Sequence, residues 1–157
     1  RGIKGHLRIA ANSSAITEAL PPHLVGFSQA HGQIRISLED LTSAEAQAAV
    51  AEGRADVGVF SPPLLDNRLQ TWVFAHGRLA ALVPIKHPLS AREEVTFDDL
   101  LSYDLIGLHA GASAQELMRE QAAARGKTLN ARWQVRGFDA IAQLVEAGLG
   151  VAVLPEQ

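Results

Sequence analysis

The chain has 157 residues, of which 47% are apolar and 5% aromatic, so it can bury a sizeable core of Ala, Val, Leu and Ile without disulfides. Its 14 Lys and Arg residues are outnumbered by 17 Asp and Glu residues, and without a dense basic run this segment is not expected to grip a phosphate backbone. The absence of cysteine excludes disulfides, thiolate metal sites and cysteine nucleophiles and fits a reducing cytoplasm, and no run of about 18 apolar residues could span a bilayer.

The first part of the chain alternates predicted strands and helices. His6–Ala11 alternates polar and apolar residues as a strand does, and Asn12-Ser13-Ser14 then favours a helix start, because such side chains bond free backbone amides. Gln33–Glu39 alternates cleanly and is predicted to be the second strand. Between them, Pro21-Pro22 must kink or restart a helix whose apolar stripe consists of Ile16, Leu20, Leu24 and Phe27.

A second helix and a third strand follow. Thr42 and Glu45 have the spacing of a capping box, which predicts a helix that runs to about Glu52. Gly53 ends this helix, and Ala55–Phe60 is predicted to be a strand. The order β-α-β-α-β favours a parallel sheet with right-handed crossovers.

The middle of the chain is predicted to hold a hinge. Two strands are expected at Gln70–Phe74 and Leu79–Pro84, and His76-Gly77 lies between them. Thr96–Leu101 is predicted to be a short capped helix. We therefore expect one α/β lobe before this point and another after it.

The last part repeats the order of the first. Ser113 and Glu116 have the spacing of another capping box, Asp139 is expected to cap the next helix, and Gly126 and Gly148 end helices. The predicted strands are Asp104–Leu108, Ala131–Arg136 and Val151–Leu154, and the predicted helices are Leu117–Arg125 and Ala140–Ala147. Similar order in the two halves predicts two related lobes.

Four joins between a strand and a helix are the best candidate for a binding site. In parallel α/β sheets such joins lie at the carboxyl ends of the strands, where free helix amides attract a carboxylate or a phosphate. The alternative is that Ser13, Ser14, Thr42 and Ser113 only cap their helices. The joins are Asn12–Ser14, Asp40–Ser43, His109–Ser113 and Gly137–Asp139.

No metal site, cofactor site or catalytic group is predicted. The six histidines lack the spacing of a metal-binding pair, and no Gly-x-Ser-x-Gly elbow occurs. Gly148-Leu149-Gly150 follows a helix and precedes a strand, which is the reverse of the order in a dinucleotide-binding turn. Asp56 has no evident partner base, so a structural role at the start of a strand is favoured, whereas Arg136 suits either an anionic ligand or a surface carboxylate.

The order of motifs resembles the effector-binding domain of LysR-type transcriptional regulators over nearly the whole chain. The resemblance implies an α/β fold of the type 2 periplasmic-binding-protein-like class, with two Rossmann-like lobes (residues 1–75 and 76–157) joined by a hinge. It also implies a cleft between the lobes, a DNA-binding winged helix-turn-helix on a preceding segment, and further chain after residue 157. The matching phrases are Gly5–Ile9, Leu20-Pro21-Pro22 with Phe27, Gly53–Gly58, His87-Pro88-Leu89, Phe138-Asp139 and Gly148–Glu156.

The resemblance implies partners and contacts as well. The partners would be a small-molecule effector, for which the polar joins allow an organic anion, a second copy in a homodimer or tetramer, and promoter DNA through the N-terminal domain. The subunits would pair through residues 14–31 and 33–39 of one copy against residues 115–125 of another. Arg136 joins the expected effector contacts because its place at the end of a predicted strand suits an anionic ligand, and not because of the resemblance. The expected effector contacts are Ser13, Ser14, Thr42, Ser43, Phe60, Ser61, His109, Ala110, Gly111, Arg136 and Phe138.

Three functions are compatible with the sequence. The main hypothesis is a cytoplasmic ligand-sensing domain whose effector biases the pose of the DNA-binding heads. An extracytoplasmic solute-binding protein of a transporter would share the fold. An enzyme on this fold would need a paired acid and base, which the sequence does not reveal.

Overall fold

A computed structural model describes residues 5–156, so residues 1–4 and 157 of the predicted lobes lie outside the described residues. The contacts within the chain divide it into two compact units. Unit 1 ends at His76, and unit 2 is Gly77–Glu156.

Unit 1 contains a three-stranded parallel sheet in the order β2-β1-β3. Its strands are β1 (His6–Ala11), β2 (Arg35–Asp40) and β3 (Val57–Val59). The predicted parallel β-α-β-α-β order is confirmed, although β3 is shorter than expected. Ala11 pairs with both Asp40 and Val59, so the three strands end at one edge, which we call carboxyl edge 1.

The helices of unit 1 begin and end for local reasons. A π-helical segment, Ala15–Ala19, precedes α1 (Leu20–Ala30), in which proline occupies the first turn, so the expected restart at Pro21-Pro22 is confirmed. The capping box of Thr42 and Glu45 is also confirmed at the start of α2 (Ser43–Ala51).

Two cores lie on opposite faces of this sheet, because successive side chains of a strand point in opposite directions. Ile9 and Ala11 pack with Leu20 on the α1 side. Ala10 packs with Ala46 and other alanines on the α2 side, where small side chains let the helix approach the strand closely.

Unit 2 has an antiparallel and a parallel strand pair. β4 (Leu79–Leu82) pairs with β7 (Ala152–Pro155), and β5 (Leu105–Leu108) pairs in parallel with β6 (Ala131–Val135). A parallel bridge from Leu105 to Val151 connects the two pairs. Unit 2 therefore repeats the central-strand arrangement of unit 1 around β5.

The helices of unit 2 pack on both faces of β5. They are α3 (Phe97–Leu100), α4 (Ser113–Ala124) and α5 (Phe138–Glu146), and the capped helix expected near Thr96 is confirmed as α3. Leu105 packs with Met118 of α4, and Ile106 packs with Ile141 and Val145 of α5.

One predicted strand is wrong. Gln70–Phe74 is not a strand, and Trp72 and Val73 are 76% and 78% exposed. A strand requires a neighbour that accepts and donates its backbone hydrogen bonds. Within residues 5–156, this segment has no such neighbour despite its β-forming composition.

Two predicted helix caps are also wrong. Ser113 is the first residue of α4, whose N-cap is Ala112, and Asp139 lies inside the first turn of α5, whose N-cap is Gly137. Gly137 has a φ of 88°, which starts the helix earlier than the sequence pattern indicated. A capping side chain must stand at the non-helical residue before the first turn, and neither Ser113 nor Asp139 occupies that place.

Candidate ligand-binding site

Asn12 organises carboxyl edge 1. Its Nδ2 donates to Ser43 Oγ at 3.1 Å and to Ser61 Oγ at 2.9 Å, and its Oδ1 accepts a hydrogen bond from the backbone amide of Ala15 at 3.0 Å. Asn12 is only 7% exposed, so these bonds satisfy an amide that burial would otherwise leave unpaired. One side chain thus connects the residues that follow all three strands of unit 1.

Asn12 was expected to favour a helix start and to belong to one of the four candidate joins. It does serve the amide of Ala15, but its bonds to Ser43 and Ser61 come from residues 31 and 49 positions away. A polar residue directly after a buried strand is the only sequence signal for this role.

The other predicted polar residues of edge 1 are also engaged within the protein. Ser13 Oγ donates to Asp40 Oδ1 at 3.0 Å, and the Ser61 amide donates to Ser43 Oγ at 3.1 Å. Thr42 accepts from the amide of Glu45 in its capping box. Thr42 therefore caps α2, as its spacing from Glu45 predicted.

Ser14 and Phe60 stand apart from this network. Ser14 is the N-cap of the π-helical segment without a side-chain cap bond, and it is half-buried. Phe60 is partly buried against the alanine core on the α2 side of the sheet.

A buried glutamine fixes the loop after β3. Gln47 is 1% exposed, its Nε2 donates to the carbonyl of Pro63 at 3.0 Å, and its Oε1 accepts from the amide of Leu65 at 2.7 Å. Gln47 was not among the predicted site residues, because a glutamine inside a helix carries no signal that it turns inward.

The carboxyl ends of β5 and β6 form a second edge, carboxyl edge 2. The His109 amide donates to the carbonyl of Val135 at 3.1 Å, which ties the join after β5 to the last residue of β6. His109 Nδ1 donates to the carbonyl of Ala110 at 3.0 Å, because a carbonyl can only accept. Gly111 then turns the chain with a φ of 90°. The structure therefore holds the start of the join after β5 beside the end of β6.

Both helices at edge 2 begin without a side-chain cap. Ala112, the N-cap of α4, and Gly137, the N-cap of α5, make no side-chain cap hydrogen bond. The first backbone amides of a helix have no carbonyl partner inside the helix, so these helix starts favour a negative group. Phe138, the first residue of α5, is partly buried in the core of unit 2.

Arg136 is the cation of edge 2. It follows β6, its side chain is exposed, and among residues 5–156 it forms no ion pair with a carboxylate. Arg132, four residues earlier, reaches Asp104 at 3.7 Å.

Gln115 is a second buried glutamine, and it was not among the expected effector contacts. It belongs to the first turn of α4 and is 6% exposed, and its Oε1 has no hydrogen-bond partner among the described residues. It lies against Gly107 of β5, where an added Cβ would stand 2.5 Å from Oε1.

Asp56 lies at the other end of the unit 1 sheet, just before β3. The guanidinium of Arg8 donates to its carboxylate at 2.8 Å and lowers the pKa of Asp56 to about 2. A backbone hydrogen bond from Arg8 at 2.8 Å contributes in the same direction. This pair joins β1 to the chain entering β3, as the expected structural role requires.

The described ranges offer neither a metal-binding cluster nor a membrane-spanning helix. No group of three or more His, Cys, Asp or Glu side chains there could hold a metal ion. No helix in residues 5–156 combines the length and apolar character needed to cross a membrane.

The family model for the LysR substrate binding domain matches residues 1–157, so the chain belongs to that family. Solved LysR-family structures share its α/β fold of the type 2 periplasmic-binding-protein-like class. The QuiR effector binding domain in complex with shikimate has a TM-score of 0.85 at 16% identity over 97% of this chain and 74% of its own. The CcmR regulatory domain of Synechocystis PCC6803 in complex with 2-PG has a TM-score of 0.86 at 21% identity over 97% and 73%.

Curated relatives are named as transcriptional regulators. The probable HTH-type transcriptional regulator LrrA of Synechococcus elongatus is 30% identical over 96% of this chain and 50% of its own length. The HTH-type transcriptional regulator AlsR of Bacillus subtilis is 27% identical over 99% of this chain and 52% of its own. The chain thus spans about half the length of these relatives.

Proposed function

We propose that this chain is the effector-sensing domain of a LysR-type transcriptional regulator and that its effector is a small organic anion. Membership of the family and the names of the curated relatives support the regulatory role. They favour a cytoplasmic regulator over an extracytoplasmic solute-binding protein, and a binding role over a catalytic one. Promoter DNA is bound by an N-terminal winged helix-turn-helix in the whole protein.

The observation that carries the proposed anion site is the pair of uncapped helix starts at edge 2. The N-caps of α4 and α5 make no side-chain hydrogen bond to the first-turn amides, and Arg136, directly before the N-cap of α5, has no ion-pair partner among residues 5–156. An acid group placed there gains charge-assisted hydrogen bonds. At edge 1, by contrast, the Asp40 carboxylate already accepts the hydrogen bond of the Ser13 hydroxyl, and its charge would repel a second anion.

The polar groups of edge 1 are preformed. Asn12 holds Ser43 and Ser61 in place before any effector arrives, so their arrangement costs no ordering entropy on binding. We propose effector contacts at Ser13, Ser14, Thr42, Ser43, Phe60, Ser61, His109, Ala110, Gly111, Arg136 and Phe138.

Regulation follows if the effector has different affinities for two states of the whole protein. A homodimer or tetramer is the proposed assembly. Apolar side chains exposed on the proposed contact surfaces support it, namely Val25 of α1, Leu38 of β2 and Leu117 of α4.

Thermal denaturation of the purified protein with benzoate and shikimate tests the anion site. A saturating anion should raise the melting temperature by mass action. Arg136→Gln should weaken binding about tenfold or more, because it removes a charged hydrogen-bond donor. Arg132→Gln is the matched control, since Arg132 lies on β6 four residues before Arg136 and already contacts Asp104.

Two results would contradict the proposal. One is that neither these acids nor a wider panel of organic anions raises the melting temperature at millimolar concentration. The other is that Arg132→Gln and Arg136→Gln weaken binding equally, which would mean that only the net charge of the protein matters.

A further inference from the structure

The amide of Gln115 is buried in a notch that only a glycine leaves open. Gly107 lies one residue before the end of β5, and a Cβ on it would stand 2.5 Å from Oε1 and 3.0 Å from Cδ of Gln115. Gln115 is 6% exposed and its Oε1 has no partner among the residues that the structure describes. A buried carbonyl oxygen without a donor is unfavourable, because it has lost its hydrogen bond to water.

Gln47 is a buried glutamine of the same chain whose side-chain amide has its hydrogen bonds satisfied. Both ends of its amide are bonded, to Pro63 and to Leu65, so any rotation of its side chain breaks two hydrogen bonds. Turning Gln115 out of its notch breaks no hydrogen bond of Oε1, since Oε1 forms none with the described part of the chain. Both side chains are buried, but hydrogen bonds fix both ends of the amide only in Gln47.

The position of Gln115 directs its amide toward edge 2 once it turns. It is the third residue of α4, and helical side chains lean toward the N-terminus of their helix. That end of α4 has the uncapped amides and adjoins His109–Gly111. A ligand whose acid group lies on these amides would therefore have its neighbouring atoms within reach of the Gln115 amide.

We infer that Gln115 is a specificity-determining residue that leaves the Gly107 notch to bind a hydroxyl group of the effector, which is a hydroxylated organic acid. This inference rests on the proposed function. A hydroxyl both donates and accepts, so it matches the amide in either orientation of its oxygen and nitrogen. A carboxylate only accepts, and therefore gives Oε1 no hydrogen bond.

The test compares matched acids with and without hydroxyl groups. Shikimate, quinate and mandelate are paired with cyclohex-1-enecarboxylate, cyclohexanecarboxylate and phenylacetate, and affinities are measured by calorimetry. The wild-type protein should prefer at least one hydroxylated member about tenfold, the contribution of one well-made hydrogen bond. Gln115→Met should remove this preference while leaving the affinity for the hydroxyl-free partner within about twofold.

Two variants separate a ligand contact from a merely structural role. Without ligand, Gln115→Met should raise the melting temperature by a few degrees, because an apolar side chain of similar size replaces an unpaired amide, whereas Gln47→Met should lower it. Gly107→Ala closes the notch against the flexible end of Gln115, so it should retain or strengthen the preference for hydroxylated acids.

The outcomes distinguish this inference from the proposed function. If acids bind but hydroxyl groups make no difference, or if Gln115→Met keeps the preference, the sensing role stands and the inference about Gln115 is overturned. A fall in the ligand-free melting temperature of Gln115→Met, or loss of the preference in Gly107→Ala, overturns it as well. If no acid of either series binds, the anion site of the proposed function fails too.

Discussion

The two carboxyl edges have the same backbone plan but opposite states of their polar groups. At edge 1, Asn12, Ser43 and Ser61 bond to one another, and α2 has its own capping box. At edge 2, α4 and α5 start without a side-chain cap, and the Gln115 oxygen has no partner among residues 5–156. The polar groups of edge 1 therefore stabilise the fold, whereas those of edge 2 are less satisfied within the described residues, as the proposed anion site requires.

The largest effect that tests this comparison is expected from Asn12→Ala. The change removes the three side-chain hydrogen bonds of Asn12 and leaves two serine hydroxyls with fewer partners, so the free energy of unfolding should fall by about 2–4 kcal/mol. Urea denaturation measures the change. Ser14→Ala is the control and should stay within about 0.5 kcal/mol. A fall of less than about 1 kcal/mol in the free energy of unfolding of Asn12→Ala would show that the hydrogen bonds of Asn12 contribute little to stability.

A smaller and reciprocal effect is expected from adding a cap at edge 2. Ala112 has the extended backbone of an N-cap, so Ala112→Ser should stabilise the protein by about 0.5–1 kcal/mol and weaken anion binding by occupying an amide of α4. Thr42→Ala, which removes a cap at edge 1, should destabilise by about 1 kcal/mol without that loss of affinity. Chemical denaturation and calorimetry give the two readouts. Unchanged anion affinity in Ala112→Ser would mean that the start of α4 is not the anion site.

The smallest effect concerns Asp56, which lies away from both carboxyl edges. Its pKa is lowered to about 2 by Arg8, so the folded protein holds the carboxylate ionised where the unfolded chain would bind a proton. The stabilisation is therefore complete above about pH 4 and is lost as the pH falls toward 2. The melting temperature gap between wild type and Asp56→Asn should close over this range, and Arg8→Gln should give the same profile. A melting-temperature gap that does not depend on pH would show that the Arg8–Asp56 ion pair does not stabilise the protein.

Local signals predicted most of the elements correctly. The alternation of polar and apolar residues predicted both ends of β1 correctly, and the spacing of Thr42 and Glu45 predicted the start of α2. Both patterns are decided by neighbours within a few positions. The strand predicted at Gln70–Phe74 failed for the complementary reason. Its composition is typical of a strand, but pairing depends on a partner elsewhere in the chain.

The convergence of strand ends within each unit was predicted, but the hydrogen bonds formed there were not. The joins after parallel strands do converge, as the contacts of Asn12 and His109 show. The sequence could not show that Ser13 is held by Asp40 or that Gln47 and Gln115 turn inward. These facts depend on residues that meet only after the sheet and its helices have packed.

The sequence by itself therefore determined the order of strands and helices, the parallel sheet and the family, because periodicity and short motifs act over a few residues. Only the tertiary structure decided which polar groups are satisfied. The partners of Asn12 lie 31 and 49 positions away along the chain, and the notch under Gln115 exists only where α4 crosses Gly107. A hydrogen bond forms between atoms that are close in space, and distance along the chain does not reveal which atoms those are.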